Sequence, residues 1–271
     1  MTAWTRRLRA FFGIEYALML TYRAEILLWA VATCLPLIML GVWSQAAASG
    51  DFVHGPAWMA RYFIAVFLVR QLTIVWVIYE FEYHVVSGKL SPMLLHPVDP
   101  MVRYITELLG EQMSRWPFGV LLVGLCFYIQ PQALLGSESQ PGLWLPAWWR
   151  VLLFLVACYA AFLLRFLLQY TTAFLAFWLE RVAALDGLIM VPYTFLSGLV
   201  IPLQVMPDRV LDVVMLTPFP YMVWLPASLL AGGEVDLLRG FATLGVWVVL
   251  LWLLNRWLWR KGLKHYSAMG A

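Results

Sequence analysis

Long apolar runs separated by short polar breaks set the pattern of this chain. They extend from Glu25 to about Ser44, from Tyr62 to about Tyr79, from Trp116 to about Leu135, from Trp148 to about Trp178, from Ala183 to Val205 and from Gly240 to Leu258. A bilayer crossing takes about 20 mainly apolar residues in a helix, so the pattern predicts an all-α integral membrane protein with six transmembrane helices. The fourth run is longer than a straight crossing needs, so that helix is expected to tilt or project. Gly187, Pro192, Gly198 and Pro202 interrupt the fifth run.

Composition agrees: 63% of the 271 residues are hydrophobic and 12% are charged, with a mean hydropathy of +0.81. A soluble domain cannot hide that much apolar surface. Six crossings also leave no room for a soluble catalytic domain, so residues 1–271 read as a single transmembrane domain. Within it, residues 1–22 are expected to form an interfacial helix. Arg6, Arg7 and Arg9 are followed by Phe11, Phe12, Ile14, Tyr16 and Leu18, with Glu15 between them and no small-residue cleavage site. That pattern suits a helix lying on a membrane surface better than a cleavable signal.

Charge orients the bundle. With both termini inside, Arg6, Arg7, Arg9, Arg23, Lys89, Arg103, Arg115, Arg181, Arg256, Arg260, Lys261 and Lys264 fall on the inner side, against Arg61, Arg150, Arg209 and Arg239 outside. The positive-inside rule therefore predicts cytoplasmic termini, and the expected location is the cell inner membrane.

Two connecting segments carry more structure than loops need. Residues 80–115, the longest inner segment, combine the turn signals Ser87-Gly88, Ser91-Pro92, His96-Pro97 and Asp99-Pro100 with short apolar stretches. This reads as a structured elbow with Met93, Leu94 and Leu95 as an apolar docking patch, and with a helix starting near Asp99-Pro100 and leading into the third span. A plain interfacial loop is the alternative. Residues 203–233, after the broken fifth run, are too apolar for an outer loop and too rich in proline for one helix. They are expected to dip into the outer leaflet as re-entrant half-helices, since irregular backbone at membrane depth has to be buried or line a cavity. Pro202, Pro207, Pro218 and Pro220 merely kinking a packed helix is the competing expectation.

Arg70, Arg165 and Gln169 lie inside apolar runs, with Asp186 near the start of the fifth. A lone charge at that depth costs about 2.5 kcal/mol or more, so each is expected to face the bundle interior, a partner or water. They could meet an anionic head group, form structural pairs or snorkel. Trp144, Trp148 and Trp149 at one interface and Trp252, Trp257 and Trp259 at the other read as aromatic belts.

The chain has no phosphate-binding GxxxxGK[ST], no HExxH and no GxSxG, and Cys34, Cys126 and Cys158 sit singly in apolar runs. No metal site and no catalytic residues are expected, and no nucleic acid as partner. A membrane-embedded lipid-modifying enzyme would need converging acidic or histidine groups. Glu80, Glu82 and His84 are the one such cluster, and alternate positions spread around a helix. An ion-driven secondary transporter would need an internal repeat and buried carboxylates.

The basic amphipathic N-terminal segment, the stretch YEFEYHVVSGKLSPMLLHPVDP, the SGLVIPLQVMP…LTPFPYMVWLPASLLAGG segment and the closing GLKHYSAMGA together resemble the permease subunits of type-2 ABC transporters, over nearly the whole chain. The resemblance implies an exporter-like permease that hydrolyses no ATP itself and is driven by a separate ATPase subunit, which binds ATP and Mg. It implies a dimer with a second permease, identical or different, in contact with membrane lipids, and a lipid, glycan or other amphipathic substrate. It also implies a coupling helix within Ser87 to Pro97, drawn from Ser87, Gly88, Lys89, Leu90, Met93, Leu94, Leu95 and Pro97. An outer exit gate around Ser197, Gly198, Pro202, Pro207, Pro218 and Pro220 completes the picture.

Overall fold

The computed structural model describes residues 33–50, 52, 54–137, 140–141 and 143–268, together with Gly13 and Leu28. The expected interfacial helix over residues 1–22 and the beginning of the first apolar run lie outside the described residues.

The described chain is helical apart from one two-residue antiparallel pairing of Gly136–Ser137 with Gln140–Pro141. The longer helices are α1 (Leu35–Ala47), α2 (Pro56–Thr73), α3 (Val77–Val86), α5 (Pro100–Ile129), α7 (Trp148–Ala173), α8 (Ala184–Leu196) and α11 (Leu237–Ala268). Shorter ones are α4 (Leu90–Leu94), α6 (Gln132–Leu135), α9 (Asp208–Val214) and α10 (Trp224–Ala231). Three stretches are long and apolar enough to cross a membrane: Pro56–Val86, Trp148–Phe177 and Leu237–Tyr266; α1 and α8 are shorter apolar helices. The chain is therefore a membrane protein.

Local chemistry explains where several helices begin and end. Proline opens α2 and α5, where the missing N–H is one that a helix start leaves unpaired anyway. Asp99 caps α5, its carboxylate accepting from the Met101 N–H at 2.8 Å, as the Asp-Pro signal predicts. The carboxylate of Glu82 accepts from the backbone N–H of Ala183, the N-cap of α8. A negative group there suits the positive end of the helix dipole. Helix α8 runs straight through Gly187 and Pro192 and stops at Leu196, so only the Gly198 and Pro202 breaks act as expected.

The second predicted span divides. Between α2 and α3, Ile74 is extended, with φ −67° and ψ 134°, although the segment holds no glycine or proline. The Thr73 hydroxyl donates back to the Val69 carbonyl at 2.9 Å, a bond that bends helices. Irregular backbone is tolerated at this depth because protein encloses it: Ile74 and Val75 are buried.

Helix α2 is the hub, packing against α1, α5, α6, α7 and α10. Of the apolar windows, 78% of the one in Pro56–Val86 is buried within the chain, against 17% for the one in Leu237–Tyr266. The last helix is thus peripheral and turns Leu250, Leu253 and Trp257 outward. At the end of the bundle beside α3, the ring of Phe81 is enclosed by Tyr170, Phe174 and Phe177 at 5.6, 5.2 and 5.5 Å and by Trp259 at 6.3 Å. Edge-to-face aromatic pairs add about 0.5–1.5 kcal/mol each beyond area burial. Trp259 packs, partly buried, on this cluster and ties α11 to α3 and to the residues just after α7, while Trp252 and Trp257 are exposed.

Candidate functional site

The elbow follows the short helix α3 beyond the hub, and the broken segment after α8 meets the start of the hub. Tyr62, near the start of α2, touches the broken segment, and Ser87 follows α3.

At the elbow, α3 ends in Ser87, Gly88 and Lys89, with Gly88 at φ +72°, a conformation that favours glycine. Helix α4 follows, then a turn through Pro97 into α5. Met93, Leu94 and Leu95 do not form one patch. Leu90 and Met93 turn inward and are buried, whereas Leu94 and Leu95 turn outward, Leu95 being 89% exposed. Positions 90, 93 and 94 stand at i, i+3 and i+4 spacing, so the packing of α4 on the bundle, not the helical period, sets this split. Ser87, Gly88, Lys89 and Pro97 are exposed beside the outward leucines.

The elbow is anchored, not free. Ser91 Oγ lies 3.0 Å from the Tyr266 hydroxyl of α11, and Arg256 of α11 pairs with Asp99 at 3.1 Å. Lys89 donates to the Tyr83 hydroxyl and lies over that ring at 4.5 Å. His84 Nδ1 is 2.7 Å from the Tyr104 hydroxyl, joining α3 to α5. A rigid protrusion with two exposed leucines on a buried inner face can move the helices it is tied to when something grips it.

At the other end, Ser197, Gly198, Pro202, Pro218 and Pro220 are buried and Pro207 is exposed. Gly198 has φ +86°. Its carbonyl accepts from the Tyr62 hydroxyl at 2.8 Å, and the Ser197 carbonyl accepts from the Trp224 N–H at 2.9 Å. Trp43 of α1 donates through Nε1 to the Val200 carbonyl at 2.8 Å. The irregular turn is thus fastened to α1, α2 and α10, which removes the penalty of unpaired backbone. A β-carbon on Gly198 would lie 2.5 Å from the Tyr62 oxygen and 3.1 Å from Trp224 Cβ, so no larger residue fits.

The polar residues within the apolar runs separate into two groups. Gln169 of α7 donates to Asp186 of α8 at 2.9 Å, and the Tyr79 hydroxyl donates to the same carboxylate at 3.3 Å. Arg165 donates to the Tyr193 hydroxyl at 3.0 Å, with its guanidinium 4.4 Å from that ring centre. Arg70, in contrast, keeps a buried Nε without a partner.

Arg115, which the sequence places among the inner-side charges, is 1% exposed. Among the described residues it forms an ion pair with Glu111 at 3.7 Å, too long for a hydrogen bond, and none of its three guanidinium nitrogens has a hydrogen-bond partner. The adjacent apolar run was the one available signal: Arg115 directly precedes Trp116 and Pro117 inside α5.

A family profile described as ABC-2 family transporter protein matches residues 37–270. The match takes in the elbow, the pinned turn and every helix described above except the first two residues of α1. No curated protein matches the chain.

Proposed function

The chain belongs to the ABC-2 family of transporters, and from that premise we propose that it is an exporter permease that a separate ATPase subunit drives through the α4 elbow. The membrane subunit of such a transporter needs a rigid contact that feels the motor and passes its stroke to the bundle. The observation that carries the reading is the two-faced elbow: Leu90 and Met93 are buried against the bundle while Leu94 and Leu95 project outward. A ligand or motor shifts a two-state equilibrium only through contacts that differ between the states, and an exposed knob fixed to α3, α5 and α11 supplies them.

In this reading α1, Pro56–Val86, the apolar half of α5, Trp148–Phe177, α8 with the turn after it, and α11 make the six crossings. Both termini face the cytoplasm across the inner membrane in this reading, which the positive-inside bias of the basic residues supports. Two permeases pair, each with an ATPase that binds ATP and Mg. The Ser197 to Pro220 region acts as a re-entrant outer gate for a lipid, glycan or other amphipathic substrate.

The test is purification from native membranes in mild detergent, followed by vesicle assays with the recovered ATPase. The proposal expects an ATPase to accompany the chain, and K89E or L94D to leave assembly intact while uncoupling ATP hydrolysis from transport. A chain recovered alone, or unchanged coupling in both variants, refutes it.

A further inference from the structure

An open groove of about 500 Å³ runs along the last helix where its apolar run ends, and its described lining comes entirely from α11. Trp252, Leu253 and Trp257 stand towards one end of it, and Arg256, Arg260, Lys261 and Lys264 towards the other. They form two neighbouring rows at i, i+4 spacing, Trp252, Arg256, Arg260 and Lys264 in one and Leu253, Trp257 and Lys261 in the other, so a single helix face carries them all. At 1.5 Å per residue the four cations extend over roughly 12 Å of that face.

The two ends attract different chemistry. Trp252, Leu253 and Trp257 are exposed, and Leu250, Val249 and Val246 continue the exposed apolar surface back along the helix. In a membrane that surface meets acyl chains. A crossing of about 20 residues counted from Leu237, the first residue of α11, ends near Arg256, which sets the cations at head-group depth. Counter-charge is short there. Asp99 pairs with Arg256 at 3.1 Å, while Arg260 and Lys261, both exposed, enter no ion pair among the described residues. The Lys261 ammonium lies 4.0 Å from the Trp257 ring centre, which holds a cation at the line where the apolar and basic ends meet. An acidic soluble protein could reach the cations but not the apolar end, which continues into the span. A phospholipid with an anionic head group matches both, its phosphate oxygens accepting from guanidinium and ammonium and its chain lying on tryptophan and leucine.

We propose that this groove binds an anionic phospholipid, its phosphate held by Arg260 and Lys261 and an acyl chain laid along Trp257, Leu253 and Leu250. The site rests on the chain being a membrane protein and not on its coupling to an ATPase. It is measured with no ATPase present, so failure of the one reading is told apart from failure of the other.

The full chain is reconstituted in phosphatidylcholine vesicles in which part of the lipid carries brominated acyl chains, on phosphatidylglycerol in one series and on phosphatidylcholine in the other. Tryptophan quenching is read for wild type and for W257F, and the difference reports position 257. That signal is expected to be quenched more by brominated phosphatidylglycerol than by brominated phosphatidylcholine at equal mole fraction. R260Q/K261Q lowers this preference by about fivefold for each charge removed. Equal quenching by the two lipids, or a preference that R260Q/K261Q leaves unchanged, overturns the proposal. No quenching at position 257 by either lipid shows that protein covers the groove and overturns it too. If the double variant fails to fold, R260Q and K261Q singly and the wild-type comparison of the two lipids decide in its place.

Discussion

The fastening of the turn after α8 can be broken in a way that separates steric from hydrogen-bond effects. Gly198 adopts φ +86°, and a β-carbon there would sit 2.5 Å from the Tyr62 hydroxyl oxygen. For Gly198→Ala, the left-handed backbone costs about 1–2 kcal/mol. The methyl also displaces the hydroxyl and orphans a buried carbonyl, which adds about 1–3 kcal/mol. Tyr62→Phe alone removes the 2.8 Å bond and orphans the same carbonyl, again about 1–3 kcal/mol. With the hydroxyl gone, the methyl added at position 198 meets Trp224 Cβ at 3.1 Å and Leu203 Cγ at an ordinary 3.6 Å, and the backbone strain remains. The double variant is therefore expected to be no less stable than Gly198→Ala, a coupling of about 1–3 kcal/mol. Unfolding in mixed micelles titrated with denaturing detergent, read by tryptophan fluorescence, measures all four corners of the cycle. Simple additivity within about 0.5 kcal/mol would refute the pinning argument.

Leu90 is buried and Leu94 is not, so Leu90→Asp should destabilise the bundle by about 3 kcal/mol while Leu94→Asp leaves unfolding unchanged; equal effects would contradict the two-faced elbow. Gly262→Ala should cost about 1–3 kcal/mol by overpacking, because its methyl would fall 2.0 Å from Phe177 Cδ2 in a ring cluster with no room to yield; restoration of the lost stability by Phe177→Leu in a thermal melt would locate the clash. Glu107, on α5 ahead of the apolar run, is pushed from the ordinary 4.5 up to about 8, by burial first and then by the charge of Glu80 and a hydrogen bond with it, against the opposing pull of Arg103. Its protonated form is the one the fold favours, so that contribution is fully present below about pH 4.5, declines above it and is gone once the pH passes about 8. Glu107→Gln is neutral throughout, and its stability profile should be flatter than wild type between those values; parallel profiles would show that this carboxyl does not set the alkaline limit.

The membrane class was legible because apolar run length is a one-dimensional property that a bilayer imposes directly. Caps and turns were legible where one residue decides them: Asp99-Pro100 begins α5, Gly88 and Gly198 take positive φ, and Ser197 ends α8. The break at Ile74 was not, because it follows from packing around buried residues and a threonine back-bond, with no glycine or proline to announce it. Gly187 and Pro192 misled in the opposite sense. A proline in an apolar helix loses one bond that neighbouring helices can make good, so it predicts a break only where tertiary contacts also end the helix.

At the elbow, the turn signals announced irregular structure but not which face it presents. Met93, Leu94 and Leu95 are consecutive, and consecutive residues on a helix point in different directions; only the packing of α4 shows that the inward pair is Leu90 and Met93. Arg115 exposes the same limit more sharply. Read along the chain, it stands at the polar edge of a run, where a long side chain would be expected to snorkel toward water. In the fold, α5 presses that edge against α2, and the exit toward water is closed. A charge count assigns such an arginine to the solvent because it knows distance from the apolar run and not direction around the helix. Among the described residues the guanidinium is held where its donors have no hydrogen-bond acceptor.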